Sequence, residues 1–317
     1  MGGVFVNRAG EELQLSPRAS WAGPDHYGER REDGDDPETI VRQIPGVLAR
    51  VKLGQRTLEL FGGRIAGRVL NLGANLGHEA ICLAGLGADE VVGTDHGDIF
   101  TGDLGRLQAR TLSVLRHRIA DLGFPARAAD VPVRFLRDDI TRTGLDPGMF
   151  DLIVSWQTLE HLIDPERAFA CMHALLAPGG MCFHEYHAFF GLDGGHSLCT
   201  IDIAWGHVRL DRDELAEYLA TRAPGGCREA ALDFYDRVLN RRTQRQMVRA
   251  AEAAGFEVLL LLPRTRTDDL MLLTQDMLRQ ARRQEPQVEI VDLVSRMVRL
   301  VLRKPQRPAE GPAGQVR

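Results

Sequence analysis

The stretch Arg68-Val69-Leu70-Asn71-Leu72-Gly73-Ala74-Asn75-Leu76-Gly77-His78-Glu79-Ala80-Ile81 decides how this chain is read. A short apolar strand, Val69 to Leu72, runs into a turn with glycine at 73 and 77, and a helical pattern through Ala80, Ile81, Leu83 and Ala84 follows. A strand that hands over to a helix through glycines lets backbone approach a ligand closely and aims helix N–H groups at it. Alone the turn is ambiguous, because a helix start with no ligand uses the same residues. The next strand, Glu90 to Thr94, ends at Asp95. An acid about 20 residues beyond such a turn can accept hydrogen bonds from both ribose hydroxyls of a nucleotide; a plain helix cap is the competing use.

Working outward, the strand, turn and helix rhythm repeats. A helix spans roughly 104–123, Val133 to Leu136 is a third strand, and Phe150 to Ser155 a fourth. The helix Pro165 to Leu176 stops at Pro178-Gly179-Gly180, and Met181 to Tyr186 is a fifth strand. Alternation of this kind predicts an α/β fold: a Rossmann-like, doubly wound sheet covered on both faces by right-handed connections. Residues 187–210 have no clear period; helices are expected at about 211–221, 229–240 and 243–254, a strand over 256–262, helices over 267–282 and 288–294, and a last strand over 297–302. Upstream, Ile40, Ile44, Val47, Leu48 and Val51 recur at helical spacing, with Pro45 expected to kink or split the helix. The domain plan is a flexible N-terminal arm over 1–38, one domain over 39–305 with insertions at 187–242 and 264–295, and a disordered tail over 306–317.

Composition narrows the function classes. A net charge of -5 argues against nucleic acid as the main partner. The basic runs 241–245 and 279–283 read as solvated helix faces. Five scattered cysteines with no CxxC pair argue against a disulfide framework or zinc knuckle, and point to buried thiols in a reducing cytoplasm. Residues 1–30 lack the basic-then-apolar design of a secretion signal, and no stretch has the roughly 20 apolar residues of a membrane span. The expectation is a cytoplasmic protein with no membrane partner; a homodimer is compatible with it.

Beyond the turn and Asp95, four further segments carry a resemblance. They are Phe135-Leu136-Arg137-Asp138-Asp139-Ile140; Phe150-Asp151-Leu152-Ile153-Val154-Ser155-Trp156-Gln157-Thr158-Leu159-Glu160-His161-Leu162; Leu175-Leu176-Ala177-Pro178-Gly179-Gly180; and Ala254-Gly255-Phe256 with Leu300 to Pro305. Together, and in this order, they resemble class I S-adenosylmethionine (SAM)-dependent methyltransferases, in particular the small-molecule, type 11-like branch, over residues 66–186 and 243–305. The resemblance implies a seven-stranded sheet with its last strand antiparallel, S-adenosyl-L-methionine as cofactor, and a small-molecule acceptor in biosynthesis. It also implies site residues: Asn71, Gly73, Asn75 and Gly77 around the methionine moiety, Asp95 with His96 at the ribose, Asp139 and Ile140 at the adenine, and Trp156 with Gln157 beside the sulfonium. The family usually carries an acid at the position of Asn71 and glycine at that of Asn75. Asn71 keeps a hydrogen-bonding amide without the charge, and Asn75 tolerates left-handed backbone.

Methyl transfer is in-line, so alignment is the main task, and an oxygen acceptor must also lose a proton. Histidine suits that near neutral pH. His161, on the rim after the fourth strand, is the first candidate base and His187 the second; packing or capping is the alternative for His161. Tyr186, His196, Trp205, His207 and Tyr235 are expected at the acceptor. A metal held by His, Glu and Asp side chains lacks any compact ligand spacing in the sequence, so none is predicted. Three competing functions stay open: a SAM-fold protein that no longer methylates, which Asn71 and Asn75 motivate; a nicotinamide oxidoreductase, against which the GxNxG spacing weighs; and an RNA methyltransferase, against which the acidic balance weighs.

Overall fold

The computed structural model describes residues 3–15, 37–96, 104–222 and 226–306. Strands β1 (Val4–Val6) and β2 (Glu12–Gln14) form an antiparallel hairpin. Helix α1 (Pro37–Glu59) leads to β3 (Arg68–Leu72), α2 (His78–Leu86), β4 (Glu90–Asp95), α3 (Leu104–His117), β5 (Val133–Arg137), β6 (Phe150–Trp156), α4 (Pro165–Leu175) and β7 (Leu176–His187). The first insertion holds α5 (His196–Cys199), α6 (Gly206–Arg209), α7 (Arg212–Arg222) and α8 (Gly226–Arg237), and α9 (Gln244–Ala253) follows it. After β8 (Glu257–Thr265), the second insertion holds α10 (Thr267–Leu272), α11 (Gln275–Gln284) and α12 (Ile290–Val294), and β9 (Ser295–Arg303) closes the sheet.

The sheet has seven strands in the order β5-β4-β3-β6-β7-β9-β8. The pairs among β3 to β7 are parallel, and β9 runs antiparallel to both β7 and β8. The chain leaves β3 toward β4 and β5 on one side, and returns to β6 and β7 on the other. Beside β3 and β6 is therefore the switch point, where open α/β sheets bind ligands at the carboxyl ends of their strands.

Alternation places each strand's side chains on two covered faces. Val69, Val91, Leu152, Val154, Phe183 and Val301 pack under helices α1, α2 and α3. Leu70, Leu72, Val92, Ile153, Cys182 and Leu300 pack on the other face with Phe169 and Met172 of α4 and Met247 and Ala250 of α9. Pro45 does not split the first helix: α1 is continuous over 23 residues with the proline inside it. Ile44, Val51 and Leu58, seven apart on either side of that proline, are all buried in the core, and this packing offsets the lost backbone hydrogen bond. Strand β7 starts at Leu176 rather than Met181, with its pairing to β6 irregular between Phe150 and Leu152.

The two insertions share a core of their own. Trp205, Tyr218, Leu219 and Leu232 from the first meet Ala281, Val288 and Leu293 from the second, and Leu13 and Leu15 of the N-terminal segment complete it. Part of the expected flexible arm is therefore ordered. Glu11 accepts hydrogen bonds from Arg279 at 2.9 Å and Gln280 at 3.0 Å and pairs with Arg283, while the Arg8 backbone N–H donates to Glu214 at 2.9 Å. Two three-residue strands have no periodicity of their own to read; partners more than 200 residues away order them. Residues 16–36 of that arm and 307–317 of the tail lie outside the described residues. Among the described residues, no helix is long and apolar enough to cross a membrane.

Candidate functional site at the switch point

The turn after β3 is shaped by backbone. Gly73 and Ala74 both donate their N–H groups to the Thr94 carbonyl, at 2.8 and 2.9 Å, which ties the turn to the end of β4. Gly73 sits at φ +72°, and a Cβ there would fall 2.2 Å from the Thr158 hydroxyl, so only glycine fits between the turn and the segment after β6. Gly77 at φ +79° begins α2 without a side-chain cap, which leaves the first helical N–H groups to whatever lies above them. Asn75 takes φ +43°, a conformation its short polar side chain tolerates, and its N–H reaches the Asp95 carboxylate at 3.3 Å. Asn71 lies beneath, 1 % exposed, and its Nδ2 donor has no hydrogen-bond partner. An unmet buried donor is costly. A glycine cradle, a half-buried acid at the next strand end and an unmet amide below fit the methionine and ribose ends of SAM, so Asn71, Gly73, Asn75, Gly77 and Asp95 would hold it.

The adenine side is less open. Both oxygens of Asp139 are engaged in their own turn, with the Thr141 N–H and hydroxyl at 2.9 and 2.8 Å and Arg142 at 3.0 Å. Burial acts to raise that carboxyl, but the Thr141 bonds and Arg142 hold it below the usual range. The Ile140 side chain is buried in the core, so its backbone is the part available to a base. His96, just past β4, is exposed. Trp156 is 6 % exposed and packs 5.7 Å from the Phe183 ring, with its indole N–H unpartnered.

Beside Trp156 stands the rim of β6 and β7. Gln157 takes φ +56°, and its side-chain amide donates to His187 Nε2 at 2.9 Å. That nitrogen is therefore the acceptor in the His187 ring. Burial, with His161 nearby, lowers the His187 pKa. His161 donates from Nδ1 to the Val238 carbonyl at 3.0 Å, so its lone pair is on Nε2; burial lowers its pKa as well. His196, at φ +55°, lies between them, its ring centroid 5.1 Å from that of His161 and 4.9 Å from that of His187. The structure thus brings together three histidines expected at catalysis or substrate from three segments.

Other expected acceptor contacts lie deeper. Trp205 is 1 % exposed, and its indole N–H donates to the Leu293 carbonyl at 2.9 Å; the fold uses it to join the two insertions, which corrects its expected place at the acceptor. His207 is buried and bonds the Phe189 carbonyl at 2.8 Å. Tyr186 is buried with its hydroxyl unpartnered. Tyr235, under the Arg241 guanidinium at 4.9 Å, borders a cleft of about 340 Å³ with Phe189, Asn240 and Arg242. A larger cleft of about 610 Å³, between Gly62 and Ala66 and beside Asp89, lies at the opposite, amino ends of the strands and far from the cradle.

Sequence reasoning missed Glu160. It is 2 % exposed, and one of its oxygens accepts the His187 backbone N–H at 3.2 Å while the other has no partner. Burial pushes its carboxyl up to about 8. Its place in the Leu-Glu-His-Leu segment was visible; its burial with an unpartnered oxygen was not.

The family described as a methyltransferase domain matches residues 43–261. A SAM-dependent methyltransferase from Mesorhizobium loti is 18 % identical, with 78 % of this chain and 96 % of that one covered and a TM-score of 0.43. Phosphoethanolamine N-methyltransferase 2 from Haemonchus contortus is 17 % identical, covering 80 % of this chain and 53 % of that one, with a TM-score of 0.45. No curated protein matches the sequence.

Proposed function

This chain belongs to the methyltransferase-domain family as a SAM-dependent enzyme, and from that premise we propose that it methylates an oxygen of a small-molecule acceptor, with His187 taking the proton. SAM supplies the methyl group from its sulfonium. The chain's own residues bind and align the partners. Gly73 to Gly77 hold the methionine moiety with backbone N–H groups, the unmet Asn71 amide meets its polar end, and Asp95 meets the ribose hydroxyls.

The observation that carries the oxygen assignment is the His187 ring. Its Nε2 accepts from the Gln157 amide at the rim beside Trp156, and burial lowers its pKa, so it takes a proton from a hydroxyl once the acceptor displaces that amide. His161, neutral for the same reason, extends the basic wall. The cleft beside Tyr235 offers Arg241 and Arg242 to the remainder of the acceptor, and the walls built by both insertions favour an enclosed small molecule over a polymer.

The test is to incubate the chain with SAM and a panel of sugars, phenols, polyketide alcohols and matched amines, and to locate the added methyl by mass spectrometry. Methyl ethers support the proposal. Products methylated only on nitrogen, or none from a chain that binds SAM, would refute it.

A further inference from the structure

One oxygen of Glu160 and one ring nitrogen each of His161 and His196 lie within 4.8 Å of one another. We propose that these three side chains form a binding site for a divalent transition-metal ion of the zinc or iron(II) kind, next to the acceptor. The donor set selects the class: two imidazoles and a carboxylate suit such ions, whereas magnesium and calcium prefer all-oxygen shells.

Three observations besides proximity support a bound cation. Glu160 is buried with one oxygen unpartnered, and a buried carboxylate needs a positive partner or neutralisation. His196 Nε2, itself without a hydrogen-bond partner, is 3.9 Å from the second oxygen of the same carboxylate. A dication meets both needs at once: it neutralises the carboxylate and takes the lone pair of an uncharged ring. Second, supporting bonds of the kind that orient ligands are in place. His161 donates a hydrogen bond from Nδ1 to the Val238 carbonyl, and the His187 N–H holds the Glu160 oxygen that faces His196. Third, His196 is held at φ +55°, a strained conformation for a residue with a Cβ, and such strain gathers at functional sites.

All three donors already lie within 4.8 Å of one another. Zinc–ligand distances of about 2.0–2.2 Å put donors roughly 3.3 Å apart in a tetrahedron, so the 3.9 Å pair closes by a fraction of an ångström. Three protein ligands leave a position open, as catalytic sites do. Resting on the oxygen-directed reading above, that position takes the acceptor hydroxyl, which then ionises more readily, its proton passing to His187 Nε2.

The experiment uses tag-free, chelator-treated chain, titrated with zinc, cobalt(II) and magnesium by calorimetry, with cobalt also followed in the visible spectrum. The expected result is one equivalent of zinc, ligand-field bands with cobalt, and no magnesium bound at the same concentration. Glu160→Gln and His196→Ala should each weaken zinc at least ~100-fold, while far-UV circular dichroism confirms that they fold. His196→Gln is the alternative variant should His196→Ala not fold. Wild-type chain that is folded yet binds neither zinc nor cobalt, or folded variants that bind zinc as wild type does, would overturn the site. SAM affinity measured on the same samples separates the two proposals: SAM bound without metal removes only the metal site, and metal bound without SAM keeps the site but removes its part in transfer.

Discussion

On the β3–β4 side of the switch point, the residues at the crevice come from one unbroken run, Asn71 to Asp95, and act mainly through backbone. On the β6–β7 side, Glu160, His161, His187 and His196 arrive from three segments and act through side chains in low-dielectric surroundings. The first half is set by glycines, strand ends and a helix start, all local. In the second half, burial shifts the titration of each group, and burial is a property of the assembled molecule. On the proposed function, local geometry would hold the cofactor and long-range assembly the acceptor.

Substitutions that separate the halves test that contrast. His187→Gln should reduce turnover by ~10²–10⁴ and leave SAM affinity, read by calorimetry, within about threefold; equal losses in both would merge the halves. Gly73→Ala should do the opposite. The new Cβ meets the Thr158 hydroxyl in a left-handed conformation costing ~1–3 kcal/mol, so SAM affinity should fall by at least ~100-fold and thermal stability with it. A folded Gly73→Ala chain with undiminished SAM affinity would deny the turn its role as cradle. Asp95→Ala should weaken SAM by ~10–100-fold, the worth of charge-assisted hydrogen bonds, with no change in melting temperature.

Smaller effects sharpen the boundary between site and scaffold. Trp205→Phe leaves the buried Leu293 carbonyl without its donor and should cost ~1–3 kcal/mol in denaturant unfolding, with the acceptor KM unchanged; a raised KM would return Trp205 to the pocket. The hairpin gives the smallest change. Burial acts to raise the Glu11 carboxyl, yet Arg283, Asn7 and Arg279 hold it at about 2, against an unfolded value of 4.5. Because the folded value is depressed, this contribution is complete above pH 4.5 and lost as pH falls toward 2. The melting-temperature difference between wild type and Glu11→Gln should therefore be constant above that pH and shrink below it; a constant gap down to pH 3 would contradict it.

Much of the cofactor side was legible. Asn71, Gly73, Asn75, Gly77 and Asp95 stand where strand, turn and strand end put them, because backbone conformation there follows from residue type. Asp139 and Ile140 were less legible: whether a carboxylate faces a ligand or caps its own turn depends on neighbours two and three residues on. Trp205 was read as a pocket residue because a loop this long and aperiodic is usually functional. Only the second core, assembled from residues 13 to 293, shows it covered, whereas His207 lines the cleft beside Tyr235.

The alternation of strands and helices and the glycine turn were thus set by periodicity and punctuation along the chain, since backbone preference is carried by neighbouring residues, while the antiparallel last strand was implied by the family resemblance. Tertiary structure alone decided that Glu160 is buried with one oxygen unpartnered, that His161, His187 and His196 stand ring to ring, and that the first residues brace the insertions. Those facts depend on which surfaces exclude water from which groups, and no local pattern encodes a contact made across tens or hundreds of residues.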